Sequence, residues 1–281
     1  MSRLFNNNAA NYMSRGSVNL GLDGLTECSF ACWVNISSTQ AFNQRVVSKE
    51  NSTGWNTILT AIASGTTALV CAVENFSLSQ SPSWQLSAGI GTGVWVRMLF
   101  TWKRNAITAA DGVIYINGVA QSTSYTAGGY TGAFVIAENT SELTYGVQAN
   151  THGVPLSGSL AWVCVWNRQL SSTEALVDYN DARSVSEGRL HCVECSSDTD
   201  ISGYGNDMTV NGTLADAGFE PTQREGSFLN MSQADYPGAG PKSPMVRFYK
   251  SPTGTTRRSV VFRKTLSSIG SRTGSRQVHQ T

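Results

Sequence analysis

Residues 159–182, SLAWVCVWNRQLSSTEALVDYNDA, change their period part-way along, and that change limits what the chain can fold into. Over residues 160–166, bulky or thiol side chains stand at Leu160, Trp162, Cys164 and Trp166, while Ala161, Val163 and Val165 fill the opposite face. A strand that is apolar on both faces needs cover on both. Ser171-Ser172-Thr173-Glu174 then has the spacing of a capping box, in which the Ser171 hydroxyl accepts from the Glu174 N–H and the Glu174 carboxylate reaches back. Leu170 and Ala175 hold staple positions, and Leu176 and Tyr179 add a short apolar stripe. The spacing predicts one short helix over about 171–182, fed directly by a buried strand.

Elsewhere the period is two. After an opening segment at 17–25, strand-like runs occur at 28–35, 46–49, 55–62, 67–74, 83–86, 94–103, 113–116, 134–137 and 143–147. After the helix come runs at 188–195 and 208–211. Turn-forming residues separate them, and Asn117-Gly118 carries the type I′ hairpin signal. Many short strands with one helix argue an all-β fold: a two-sheet antiparallel jelly-roll sandwich.

The 281 residues are 40% apolar, enough to bury a sizeable core. No apolar run is long enough to span a bilayer. Residues 1–15 lack the apolar stretch of a signal peptide, so export is not expected and the six cysteines read as thiols. The net charge of +1 conceals a split. Residues 1–241 hold 11 basic against 19 acidic side chains, net −8; residues 242–281 hold nine Lys and Arg and no acid, net +9. Pro237-Gly-Ala-Gly-Pro241 reads as a linker. The organisation expected is therefore a domain over 1–225, a linker over 226–241 and an extended basic arm over 242–281.

Four pieces carry a family resemblance: Trp33-Val-Asn35, the run from Gly93-Val-Trp95 to Trp102-Lys103, Val113-Ile-Tyr-Ile-Asn-Gly-Val119, and the run from Trp162 to Leu170. In this order they resemble the laminin-G-like, concanavalin A-like lectin/glucanase jelly rolls, over roughly residues 20–212. Residues 202–212, SGYGNDMTVNG, are similar to a further family segment that often stands near the start of such domains. The resemblance implies the fold but not one function, because the fold hosts lectins, glycosidases, adhesion modules and virion proteins.

Glycosidases of this kind place paired carboxylates on one strand face. No such run is present, and Glu138 and Glu142 flank a loop, so no catalytic residues are assigned and the chain reads as a non-enzyme. Residues 89–93, GIGTG, precede a strand and not a helix N-terminus, which excludes a phosphate loop. His152, His191 and His279 show no partner pattern. Cys28 with Cys32, or His191 with Cys192 and Cys195, lack zinc geometry. Asp198, Asp200 and Ser202 imitate half a calcium loop, but Thr209 stands where the bidentate Glu belongs, so the calcium reading is weak and an Asx-turn is the simpler account. Five of the seven Trp lie inside strands; Trp55 and Trp84, in polar surroundings, are the candidates for exposed glycan-stacking positions.

The arm supplies Arg247, Phe248, Tyr249, Lys250, Arg257, Arg258, Phe262, Arg263 and Lys264, mixing cations with strand-like apolar residues at 245–250 and 259–264. Nucleic acid could attract the cations, yet the acidic body and strand-like apolars fit docking on another protein subunit by strand addition better. The expectation is a non-catalytic structural protein of a larger, homo- or hetero-oligomeric assembly. A bacteriophage or virus particle assembled in the host cytoplasm, with capsid or tail proteins as partners, suits these features: a capsid decoration, head-fibre or tail protein. The alternative is a carbohydrate-binding adhesion module, and neither reading places the chain in a membrane.

Overall fold

A computed structural model describes residues 2–50, 56–138 and 141–218, together with the strand backbones at 248–250 and 256–258. The chain divides into two compact units, residues 1–225 and 226–281. The first is a sandwich of two antiparallel eight-stranded sheets. One sheet contains β1 (Arg3–Asn6), β3 (Glu27–Ile36), β8 (Trp95–Lys103), β9 (Gly112–Ile116), β10 (Val119–Ala120), β13 (Ser157–Trp166) and β16 (Ala215–Asp216). Its order is β10-β9-β8-β3-β13-β1-β16, and β14 (Arg189–Val193) also pairs with β13. The other contains β2 (Tyr12–Arg15), β4 (Gln44–Glu50), β5 (Asn56–Ile62), β6 (Leu69–Val73), β7 (Ser83–Leu86), β11 (Thr123–Thr126), β12 (Leu143–Tyr145) and β15 (Thr209–Asn211). Its order is β11-β7-β6-β5-β4-β12-β2-β15. The strand pattern and, among the described residues, the one α-helix match the jelly roll expected.

The core between the sheets takes alternate residues of each strand: Phe30, Cys32 and Val34 from β3, Met98, Phe100 and Trp102 from β8, and Trp84 and Leu86 from β7. Trp84 is the clearest departure from expectation. It is 0% exposed, packs tilted against Phe100 and Tyr125, and donates its indole N–H to the Ala109 carbonyl at 2.8 Å. Its polar chain neighbours alternate outward, so surroundings in sequence misread the inward side chain. It cannot stack on a sugar.

A second cluster lies on the outer face of the first sheet, where Trp33, Tyr115, Trp162, Trp166 and Leu170 pack beneath α1 (Ser172–Asn180). The two-faced apolar pattern of β13 thus has its explanation: one face meets the opposite sheet and the other meets the helix. Ser171 caps α1 in a complete capping box. Arg168 donates to the Glu174 carboxylate at 2.6 Å, and this bond together with those from Ser171 holds that carboxyl below the usual range despite the opposing effect of burial. Ala175 is buried as the staple requires, but Leu176 is exposed, so the helix packs through Ala175, Val177 and Tyr179. Arg97 on β8 and Asp178 on α1 form a fully buried bidentate pair, both N–O distances 2.7 Å, and Arg97 also donates to the Trp162 carbonyl. That carbonyl is available because β13 bulges there: the register with β3 shifts between Ala161 and Cys164, and Trp162 has φ 48°.

Cys164 and Cys192, register partners on β13 and β14, are joined by a disulfide beneath the helix. The expectation of six thiols is corrected on this point, because strand register sets the two side chains face to face. Cys28, Cys32, Cys71 and Cys195 are free and buried, and burial pushes each thiol up. Residues 134–137 and 17–25 bury Phe134, Ile136, Val18, Leu20 and Leu22 without forming strands. Two strands absent from the sequence reading, β1 and β2, open the chain. In the second unit β17 (Phe248–Lys250) and β18 (Thr256–Arg258) pair antiparallel, Phe248 opposite Arg258. The expected strand at 259–264 lies outside the described residues.

Candidate functional site

The sandwich has two outer faces, and α1 closes one of them. The outer face of the second sheet carries a row that the registers trace across seven strands: Ser14, Thr144, Ser48, Leu59, Ala72, Ser83 and Thr126. These side chains are small and mostly hydroxylated. Leu59, Ala61 and Ala72 form a small apolar floor within it, separate from the main core. Arg45 pairs with Ala61 in register; burial lowers its pKa, while the Glu50 and Glu74 carboxylates oppose that change.

At one side of this face stands a cluster of three polar side chains from distant segments. Met13 points into the core, so Tyr12 and Ser14 on either side of it point outward. The Tyr12 and His152 rings stack with centroids 4.5 Å apart and planes 28° from parallel. His152 Nε2 lies 2.7 Å from Glu142 Oε2, and His152 Nδ1 lies 3.4 Å from the Tyr12 hydroxyl. A carboxylate only accepts, so in the neutral ring Nε2 carries the proton and Nδ1 accepts from the phenol. His152 is 37% exposed and Glu142 24%. Burial, with Glu142 adding to it, raises the Tyr12 pKa, so the phenol stays protonated and is not an activated nucleophile.

The loop that delivers His152 is tied down and locally strained. Gln148 donates to Glu50 Oε1 at 2.6 Å, and the Ala149 N–H donates to the Ser48 hydroxyl at 3.2 Å. Asn150, His152 and Val154 all have left-handed φ, between 44° and 66°, and for β-branched Val154 this is a genuine strain. Continuing the β12–β4 register by one step sets Glu142 beside Glu50. Glu50 is only 1% exposed and burial raises its pKa. A second carboxylate that a sugar cannot reach does not make a glycosidase pair with Glu142.

The candidates read from sequence fall elsewhere. Asp200 accepts from the N–H groups of Cys192, Ser202 and Asn206 and from the Ser202 hydroxyl, which holds its carboxyl down against the effect of burial. Its backbone N–H donates to Asp207 at 2.7 Å, while the Asp198 carbonyl takes the Met208 N–H. These bonds build the turn and use the Asp200 oxygens on the protein itself. Among the described residues no group of three or more His, Cys, Asp or Glu is arranged to hold a metal ion. Trp55 lies outside the described residues, as do Arg247, Phe262, Arg263 and Lys264. Of the remaining arm residues, Phe248, Tyr249 and Lys250 are on β17 and Arg257 and Arg258 on β18, which pair with each other. Sequence reasoning missed Tyr12, Glu142 and His152, because nothing local links positions 12, 142 and 152.

Residues 7–175 match the sequence family described as the concanavalin A-like lectin/glucanases superfamily. The chain belongs to that superfamily. Its sandwich is similar to a putative carbohydrate binding protein from Bacteroides ovatus, with TM-score 0.54 and 15% identity over 76% of this chain and 59% of that one. It is also similar to a native heptameric SAP-like pentraxin from Limulus polyphemus, with TM-score 0.51 and 13% identity over 76% of this chain and 93% of that one. The match thus spans a little over half of the Bacteroides protein's length. At these identities the likeness is one of fold. No curated protein matches the chain in sequence.

Proposed function

We propose that this member of the superfamily is a non-catalytic carbohydrate-binding module whose ligand face is the outer face of the second sheet. The observation that carries this reading is the stacked, partly exposed Tyr12–His152 pair hydrogen-bonded to Glu142 at the side of the second sheet's outer face. Sugar recognition needs an aromatic face for the C–H side of a pyranose and fixed polar groups for its hydroxyls. Tyr12 and His152 offer the first, and the partly exposed Glu142 carboxylate the second. The raised Tyr12 pKa and the inaccessibility of Glu50 argue for binding without hydrolysis. Fold likeness to a putative carbohydrate binding protein supports the same reading.

A glycan array of the whole chain, with and without calcium, tests it, followed by Tyr12→Ala and His152→Ala. Binding that both variants weaken is the expected result; silence on every glycan overturns the reading. A second role for the chain, docking on other protein subunits of an assembly through the basic arm, rests on the charge split between residues 1–241 and 242–281. Unchanged co-assembly after deletion of 242–281 would overturn it.

A further inference from the structure

Lys49 ends the inward row of β4 and is 0% exposed, although it carries a charge that ordinarily stays in water. Its ammonium donates to the Val18 carbonyl at 2.7 Å and to the Ser141 carbonyl at 3.0 Å, and Glu138 Oε1 lies 3.6 Å away. The oxygens come from two separate stretches of chain. The Glu138 carboxylate is itself fixed, because it accepts from the Leu20 and Leu22 N–H groups at 2.6 and 2.7 Å. Asp23 in turn accepts from the Glu138 N–H. Segment 17–25 has no strand of its own; these bonds hold it together with the backbone bonds of Gly24 and Leu25 to Ile136 and the burial of Val18, Leu20 and Leu22.

We infer that these oxygens form a cation seat, built as a metal or ammonium site is built, which the chain fills with its own tethered ammonium. An ammonium has three donors and no acceptor, and the Val18, Ser141 and Glu138 groups turn oxygens toward it. The Val18 carbonyl would lose its ammonium donor if residue 49 were apolar, whereas the Ser141 carbonyl also accepts the Val18 N–H at 3.4 Å. Of the other charged groups nearby, Arg15 stands across Leu143 in the same register row, and Glu50 points to the other face of the sheet. The seat withdraws Ser141 toward the interior and so positions the next residue, Glu142, on the outer face; it stands whether or not that face binds sugar. Burial lowers the Lys49 pKa to about 8, against the opposing pull of Glu138, which leaves the group cationic at neutral pH.

The seat has a stated ligand class once Lys49 is shortened: a small primary ammonium. The test is a thermal melt of Lys49→Ala in methylammonium chloride and, at equal ionic strength, in tetramethylammonium chloride. The variant should melt roughly 6–20 °C below the wild type, as expected for breaking a buried pair. Methylammonium should restore much of that shift in a concentration-dependent way, leave the wild type unmoved, and have no counterpart in tetramethylammonium, which has the charge but no N–H. Equal responses to both salts would overturn the inference. So would a Lys49→Met variant that melts with the wild type. If the alanine variant does not fold, the wild type still decides: the Lys49 Nζ protons should exchange with water far more slowly than those of half-exposed Lys103, and equal exchange would overturn the seat.

Discussion

The two outer faces of the sandwich start from the same alternating strands and end with opposite chemistry. On the first sheet, four aromatic side chains and a disulfide lie beneath α1, and the buried Arg97–Asp178 pair ties sheet to helix. On the second, the corresponding positions are Ser, Thr and Ala with the one larger Leu59, and the polar cluster at Tyr12 stays partly in water. Large apolar side chains recruit a helix as cover, whereas the small hydroxylated ones of the second sheet are covered by the 147–150 loop, and only the Tyr12 cluster beside them stays partly exposed.

Substitutions that separate the two faces can break this comparison. Asp178→Ala should have the largest effect, because it strands the Arg97 guanidinium in the interior; a loss of about 3–5 kcal/mol is expected in urea unfolding. Any ligand binding by the folded fraction should survive. A small loss would mean that the helix is held by its apolar contacts alone.

His191 sits in the interior that both faces share, where it bonds the Tyr145 hydroxyl from the opposite sheet. Burial lowers its pKa to about 4, with Asp200 and Asp207 pulling the other way. Between pH 6.5 and 4 the unfolded chain therefore binds more protons than the folded one, so stability falls as pH is lowered through that window. The loss amounts to about 3 kcal/mol. His191→Gln should flatten this part of a stability-versus-pH curve; an unchanged slope would remove His191 as its source.

Tyr12→Ala should do the reverse of Asp178→Ala. Stability should change by no more than about 1 kcal/mol, as at most partly exposed sites, while affinity for a glycan found by array should drop about tenfold, the worth of one aromatic platform. Equal affinity, measured by calorimetry, would move the ligand site away from this face. The smallest effect is expected from Ser171→Ala, about 1 kcal/mol for a lost cap, read by helix signal and urea midpoint and without consequence for the second sheet's outer face.

Much of the covered face was legible in the sequence, because its signals are local. The Ser171–Glu174 box, the Asn117-Gly118 turn (φ 53° and 78°) and the double apolar pattern of β13 each lie within ten residues. The second sheet's outer face was not. β2 is four residues long and mixes polar with apolar side chains, so no period shows, and it pairs with β12, Arg15 opposite Leu143, across most of the domain's sequence. The Tyr12–Glu142–His152 cluster exists only through such pairing. The disulfide was missed for a related reason, since register and not spacing decides that Cys164 meets Cys192 and that Cys195 turns into the core. Trp84 shows the opposite error, in which polar neighbours suggested exposure and alternation overruled them.

The N-terminal strands carry one more consequence. β1 lies between β13 and β16, β2 lies between β12 and β15, and Arg3 reaches the carbonyls of Cys195, Ser196 and Leu214. During synthesis the first fifteen residues therefore leave the ribosome long before the strands that flank them exist. Their backbone groups must wait through some two hundred further residues, at about 5–20 residues per second. For that interval of seconds both sheets carry an unfilled place, and the nascent chain is at its most prone to pair with a neighbour of its own kind.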